Sequence, residues 1–84
     1  MIAVDWGTSS LRLYRLDDTG MVLERRRSDD GVLASAGRFG EVLARGLEGW
    51  DDHDILLCGM IGGRGGWQGL RGRSRWRGRI PPKD

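Results

Sequence analysis

One cysteine, one histidine and two prolines are all that this 84-residue chain contains of those residue types. Cys58 has no partner for an internal disulfide. That excludes a secreted disulfide scaffold and a multi-cysteine zinc site, and makes a reducing cytoplasm the natural setting. His53 sits in the acidic link 51–54 with no second His or Cys at ligand spacing, and it reads as a surface residue rather than a metal ligand. Long apolar runs are also missing: nothing approaches the roughly 20 residues of a membrane span. Met1 leads directly into Ile2-Ala3-Val4 and the charge of Asp5, without the basic segment and long apolar stretch of a targeting leader. The expectation is a soluble cytoplasmic protein with no membrane partner. With 38% hydrophobic residues, the chain can support one small domain with a modest core.

The charges are unevenly placed. Residues 1–66 are net −3 and residues 67–84 net +5, so the formal total of +2 conceals an acidic body and a basic end. In the basic end Arg71, Arg73, Arg75, Arg77 and Arg79 alternate with small residues, Trp76 and Ile80, and Pro81-Pro82 then forbids regular structure. This composition supplies no core and reads as a disordered Arg/Gly tail over 69–84, separate from a folded unit over 1–68.

Within the body, residues 1–4 form a continuous apolar run expected of a strand covered on both faces, and residues 11–16 read as its neighbour. Asp17-Asp18-Thr19-Gly20 is a turn cluster, after which residues 21–27 read as a third strand with a charged end, completing an antiparallel meander. Arg25, Arg26 and Arg27 read as a solvated end, one of them within reach of a ligand anion. Residues 28–37 carry no clear period and read as loop. From 38 to 50, Phe39, Val42, Leu43, Leu47 and Trp50 fall on one helical face, with Gly49 at the exit and with Gly40 and Gly46 weakening the helix. Ile55-Leu56-Leu57-Cys58 then reads as a buried parallel strand with Cys58 as a small core residue. The order is β-β-β-α-β and the fold class α/β.

Two segments carry more than structure requires. Between the first two strands stand Asp5, Trp6, Gly7, Thr8, Ser9 and Ser10. A carboxylate at a strand end can hold a hydrated Mg²⁺, which prefers oxygen ligands and keeps several waters. Gly7 lets backbone approach a phosphate, and Thr8, Ser9 and Ser10 offer hydroxyls and N–H groups to its oxygens. The same residues also serve a β-turn that does only conformational work. The second segment, residues 59–67, holds Gly59, Gly62, Gly63, Gly65 and Gly66, with Arg64 as its one charged side chain able to grip an anion. It is either a ligand loop or a flexible linker. It is not a phosphate-binding P-loop, since no Gly-Lys-Ser/Thr follows. The dinucleotide fingerprint fails as well, because Gln68 occupies the place of its third glycine.

Taken together, "IAVDWGTSSLRLY", "DDGVLA", an amphipathic helix followed by Trp, and "ILLCGMIGGRGGWQ" resemble, in order and spacing, the N-terminal end of the 2-dehydro-3-deoxygalactonokinase family over residues 1–68. The resemblance implies a ribonuclease H-like or actin-like ATPase lobe. It also implies ATP and Mg²⁺ as cofactors and transfer of the γ-phosphoryl group to a hydroxyl of a keto-deoxy sugar acid in galactonate breakdown. Asp5, Gly7, Thr8 and Ser9 would form the first phosphate loop, with Asp5 reaching Mg²⁺ through water. Gly62, Gly63, Arg64 and Trp67 would line the sugar-acid cleft, with Arg64 facing the substrate carboxylate. Such reactions are carried by electrostatics and positioning, which suits a metal carboxylate and glycine-rich backbone.

The resemblance stops at the tail. The family continues past the Gly-Trp motif into a long remainder with a second phosphate loop and an adenosine pocket, whereas this sequence changes to an Arg/Gly alternation. No residue here reads as a general base, so the chain is expected to be an N-terminal fragment without activity of its own. Two other classes stay open: a nucleic-acid binder using the alternating Arg and Trp76 as a stacking tail, and a non-catalytic actin-like interaction module.

Overall fold

The computed structural model of the chain describes residues 1–52, 54–59 and 74–77, the last group as backbone. The elements are β1 (Ile2–Trp6), β2 (Leu11–Leu16), β3 (Val22–Ser28), α1 (Val32–Ser35), α2 (Phe39–Gly46), β4 (Asp54–Gly59) and β5 (Ser74–Arg77). They build one mixed sheet in the order β3-β2-β1-β4-β5. β1, β2 and β3 form the expected antiparallel meander. The two helices then carry the chain back so that β4 lies parallel to β1, as a crossover connection requires. Within the meander, the turn between β2 and β3 is held by Asp17. Its Oδ1 accepts hydrogen bonds from the Thr19 hydroxyl at 2.7 Å and from the Thr19 and Met21 N–H groups at 2.8 and 3.0 Å. These bonds, the Thr19 hydroxyl foremost, hold its carboxyl below the usual carboxylate range.

Strand alternation puts Ile2, Val4 and Trp6 of β1, Leu11 and Leu13 of β2, and Ile55 and Leu57 of β4 on one face, all buried. Val32, Phe39, Val42, Leu43, Leu47 and Trp50 close over them as a single core. Trp6 is fully buried, meets Phe39 edge to face at 5.4 Å, and donates Nε1–H to the Asp30 carbonyl at 2.8 Å. A buried indole needs that acceptor. The other face of β1 carries Ala3 and Asp5, both half-buried. β1 is therefore not covered on both faces by the described residues, and its apolar run reflects one buried face plus a small alanine. Cys58 is corrected for the same reason: alternation with Ile55 and Leu57 turns it away from the core, where it is half-buried with its thiol 3.2 Å from the Val4 carbonyl.

The helix predicted over 38–50 is regular only over Phe39–Gly46. At Gly46, its last residue, the helix comes close to the sheet; a Cβ at that position would lie 3.2 Å from Leu13 Cδ2. Leu47 and Trp50 continue the buried face in a turn that passes through Gly49 at φ +87°. Arg26 caps this end: its Nη1 donates to the Gly46 and Glu48 carbonyls at 2.8 and 2.7 Å, and its guanidinium lies 3.9 Å over the Trp50 ring. Of the three consecutive arginines, Arg26 is thus a structural clamp and not a solvated end.

Three further findings revise or extend the sequence reading. The segment 28–37, read as loop, contains the one-turn helix α1, too short to show a period. Within the stretch read as a disordered tail, Ser74–Arg77 pairs antiparallel with β4, Leu57 opposite Ser74 and Asp54 opposite Arg77. The open edge of β4 offers a row of backbone hydrogen-bonding groups, and an alternating segment can satisfy them whatever its composition. Finally, the N-terminal amine is anchored. It lies 2.8 Å from Oδ2 of Asp52, whose Oδ1 accepts from Arg15 Nε at 3.0 Å. Asp52 is only 15% exposed, and the amine, with help from Arg15, holds its carboxyl below the ordinary value against the opposing effect of burial. Among the described residues, no helix is long and apolar enough to cross a membrane.

Candidate functional site

β1 and β4 run side by side and end together, with Asp5 opposite Cys58 and Trp6 opposite Gly59. The carboxyl ends of adjacent parallel strands, where the chain departs in different directions, are the usual ligand position of open α/β sheets. Here β1 leads into the turn 7–10, and β4 ends at Gly59, where the glycine-rich segment of the sequence begins; residues 60–73 lie outside the described residues.

The turn is built around Gly7, whose N–H donates to the Ser10 carbonyl at 2.9 Å. The Gly7 and Thr8 carbonyls accept from the N–H groups of Val32 and Leu33 at 2.9 and 3.4 Å. The turn thereby caps the first N–H groups of α1, which receive no side-chain cap. The approach is close enough to exclude any side chain at Gly31, where a Cβ would overlap the Thr8 carbonyl and lie 2.6 Å from Ser9 Cα. With the carbonyls turned toward α1, Thr8 and Ser9 are left exposed, and their hydroxyls hold no hydrogen bond among the described residues.

Asp5 stands at the root of this turn. Its Oδ2 pairs with Arg12 Nη2 at 2.9 Å, both side chains being 41% exposed. Its Oδ1 faces Gly59. At φ +96°, a Cβ on Gly59 would fall 2.8 Å from that oxygen and 2.7 Å from the Trp6 carbonyl. The glycine that ends β4 is therefore required both by its backbone conformation and by the space the carboxylate occupies. A half-exposed carboxylate with one oxygen against open backbone suits a cation that keeps most of its own waters. No group of three or more His, Cys, Asp or Glu side chains is placed to hold a metal ion among the described residues.

Asp5, Gly7, Thr8 and Ser9 are thus brought together at one strand end, and Gly59 adjoins them. Gly62, Gly63, Arg64 and Trp67, like His53, lie outside the described residues. A cleft of about 520 Å³ opens elsewhere, between α2 and β3, lined by Leu11, Leu13, Arg26, Val42 and Arg45 among others. Leu11 and Leu13 place it on the helix-covered face, away from Asp5, so it is not the site assembled by the motifs.

Sequence reasoning missed Arg12 and Gly31. Arg12 had a readable signal: it and Asp5 are equidistant from the centre of the turn, so a tight hairpin must set them opposite one another. Gly31 had none, because its close contact is to a turn far behind it in the chain.

Comparison with known proteins adds the following. The family model described as 2-keto-3-deoxy-galactonokinase matches residues 5–72. A relative from Rhizobium meliloti (strain 1021), described as a probable 2-dehydro-3-deoxygalactonokinase, is 39% identical over 70 residues, covering 79% of this chain and 23% of its own. A crystal structure from Sinorhizobium meliloti bearing the same enzyme name superposes with a TM-score of 0.72 at 40% identity, over 81% of this chain and 24% of its own. The chain spans about a quarter of the length of these relatives.

Proposed function

Because this chain belongs to the 2-keto-3-deoxy-galactonokinase family, we propose that it forms the phosphate-binding start of a sugar-acid kinase. The reaction is ATP-dependent phosphorylation of 2-dehydro-3-deoxy-D-galactonate, on an actin-like lobe. The observation that carries this reading is the juxtaposition of Asp5 with Gly59. It sets a carboxylate, an exposed hydroxyl-bearing turn and the start of a glycine-rich segment at the ends of two neighbouring parallel strands.

In this reading Asp5 holds Mg²⁺ through water, and the bound ion neutralises phosphate charge. Gly7 gives backbone access to the phosphates, and Thr8 and Ser9 donate to their oxygens. Arg12 orients the Asp5 carboxylate through the 2.9 Å pair. Gly62, Gly63, Arg64 and Trp67 line the sugar-acid side, with Arg64 the partner of the substrate carboxylate. No residue is assigned as general base, and the 84-residue chain by itself is expected to bind nucleotide weakly and to transfer no phosphoryl group.

The test is a chimera in which residues 1–59 of this chain replace the matching segment of the Rhizobium meliloti relative. ATP-dependent phosphorylation of 2-dehydro-3-deoxy-D-galactonate by the chimera, and its loss by roughly 10²-fold or more in Asp5→Asn, is the expected result. A folded chimera whose activity is indifferent to Asp5→Asn would end the reading.

A further inference from the structure

Among the described residues, Ser35 is the one polar residue that is fully buried. It closes α1, where alanine would be the better helix former and would bury no polar atom. Its hydroxyl is spent elsewhere: it donates to the Asp30 carbonyl at 3.0 Å. That carbonyl stands just outside the helical ladder, because the Ser35 N–H goes to Gly31 instead. It also accepts Nε1–H of Trp6 at 2.8 Å. A carbonyl oxygen has two lone pairs, and two fully buried side chains fill both. Trp6 in turn lies between Asp5 and Gly7, so the clasp on Asp30 ties the segment 30–35 to the root of the turn 7–10. The same segment holds the Gly7 and Thr8 carbonyls through the Val32 and Leu33 N–H groups, and the Ser10 carbonyl is taken by the Gly7 N–H. The N–H groups of Thr8, Ser9 and Ser10 hold no hydrogen bond among the described residues. The turn thus has its acceptors tied down and its donors free.

We infer that Ser35 is a positioning residue for the turn 7–10, acting through the Asp30 carbonyl and Trp6. Being fully buried, it touches no ligand itself. Its hydroxyl fixes the segment against which the turn is hydrogen-bonded, and so fixes where the turn's free donors stand before a ligand arrives; donors held in place beforehand cost no reorganisation when charge must be stabilised. The inference rests on the proposed kinase reading only for what the turn binds, a phosphate of the nucleotide. Arg26 is the internal control, because it clamps the far end of α2 through the Gly46 and Glu48 carbonyls and has no bond to the turn.

The experiment has two arms. In the first, hydrogen exchange is followed in the 84-residue chain for Ser35→Ala, Ser35→Cys and Arg26→Ala. Both Ser35 variants should speed exchange of the Trp6 indole N–H and of the Val32 and Leu33 amides about fivefold over amides of the β2–β3 pairing, as expected for one lost hydrogen bond. Arg26→Ala should leave those three groups in step with the rest of the chain. Cysteine keeps the volume of serine but is a weak donor, so protection restored by Ser35→Cys would show that packing alone matters and would overturn the inference, as would the absence of any selective acceleration. In the second arm the same substitutions are placed in the chimera with the Rhizobium meliloti relative. Ser35→Ala should raise KM for ATP about fivefold and leave KM for 2-dehydro-3-deoxy-D-galactonate unchanged, while Arg26→Ala moves neither in the folded enzyme. A chimera that depends on Asp5 but responds alike to Ser35→Ala and Arg26→Ala would overturn the inference and leave the kinase reading in place. Selective exchange in the first arm, with a chimera indifferent to Asp5→Asn, would end the kinase reading and leave the hold of Ser35 on the turn intact.

Discussion

Gly59 leaves the carboxylate of Asp5 its place: a methyl group added there would stand 2.8 Å from Oδ1 and 2.7 Å from the Trp6 carbonyl. Gly59→Ala therefore meets a backbone conformation unfavourable to L-residues and a contact that only movement of the strand can relieve. A loss of roughly 2 kcal/mol or more is expected, read as a lower urea midpoint. In the chimera the same substitution should depress phosphorylation beyond what the lost stability explains, because it displaces Asp5.

Gly31→Ala separates sterics from conformation. Gly31 has φ −68°, which any residue adopts, but its Cβ would overlap the turn that holds Thr8 and Ser9. The turn and α1 must part, breaking the two hydrogen bonds from Val32 and Leu33 at a cost of roughly 1–3 kcal/mol. Faster amide exchange at those two residues, with the β2–β3 pairing unchanged, is the signature to look for.

Arg26 joins three features that lie apart in sequence: the Gly46 and Glu48 carbonyls and the Trp50 ring. Arg26→Ala is expected to lower stability by about 1.5–3 kcal/mol, and Arg26→Lys by a smaller amount, since an ammonium keeps a donor but loses the planar stack. Chemical denaturation of the two variants beside Arg25→Ala, which should be nearly neutral, checks the ordering.

Stability should fall in acid through Asp52. Its carboxyl is held below its ordinary value by the N-terminal amine first and Arg15 second, so the folded state binds its proton less readily than the unfolded chain. The stabilisation is complete above the ordinary value of 3.8 and is lost as pH falls through the depressed one. Asp17 contributes with the same sign. Melting curves between pH 7 and pH 2 should show Asp52→Asn less stable than the parent near neutrality, with the two converging at the acid end. A gap that stays constant across the range would exclude the ion-pair origin.

The meander, the parallel return and the core face were legible because alternation and helical spacing are local patterns. Ile2, Val4, Leu11, Leu13, Phe39, Val42 and Leu43 declare themselves within a few residues of one another. The turn 7–10 was legible as a candidate site for the same reason. What escaped depends on distant partners. The first N–H groups of α1 are satisfied by the Gly7 and Thr8 carbonyls, and position 46 is a glycine because Leu13 lies beneath it. Cys58 could be placed only once the inward set of β4 was known. Ser74–Arg77 became a strand because β4 had an edge to offer.

β1 opens the chain yet lies inside the sheet, its Ile2 aligned with Arg15 on one flank and with Ile55 on the other. Emerging from the ribosome, it can zip onto β2 at once, but its second flank must wait until residues 54–59 have been synthesised. Until then the apolar side of Ile2, Val4 and Trp6 has only half its neighbours. Any folding order that completes the meander first therefore leaves this apolar side uncovered until β4 docks, and the exposure of the early intermediate is set by how fast the α1–α2 crossover closes.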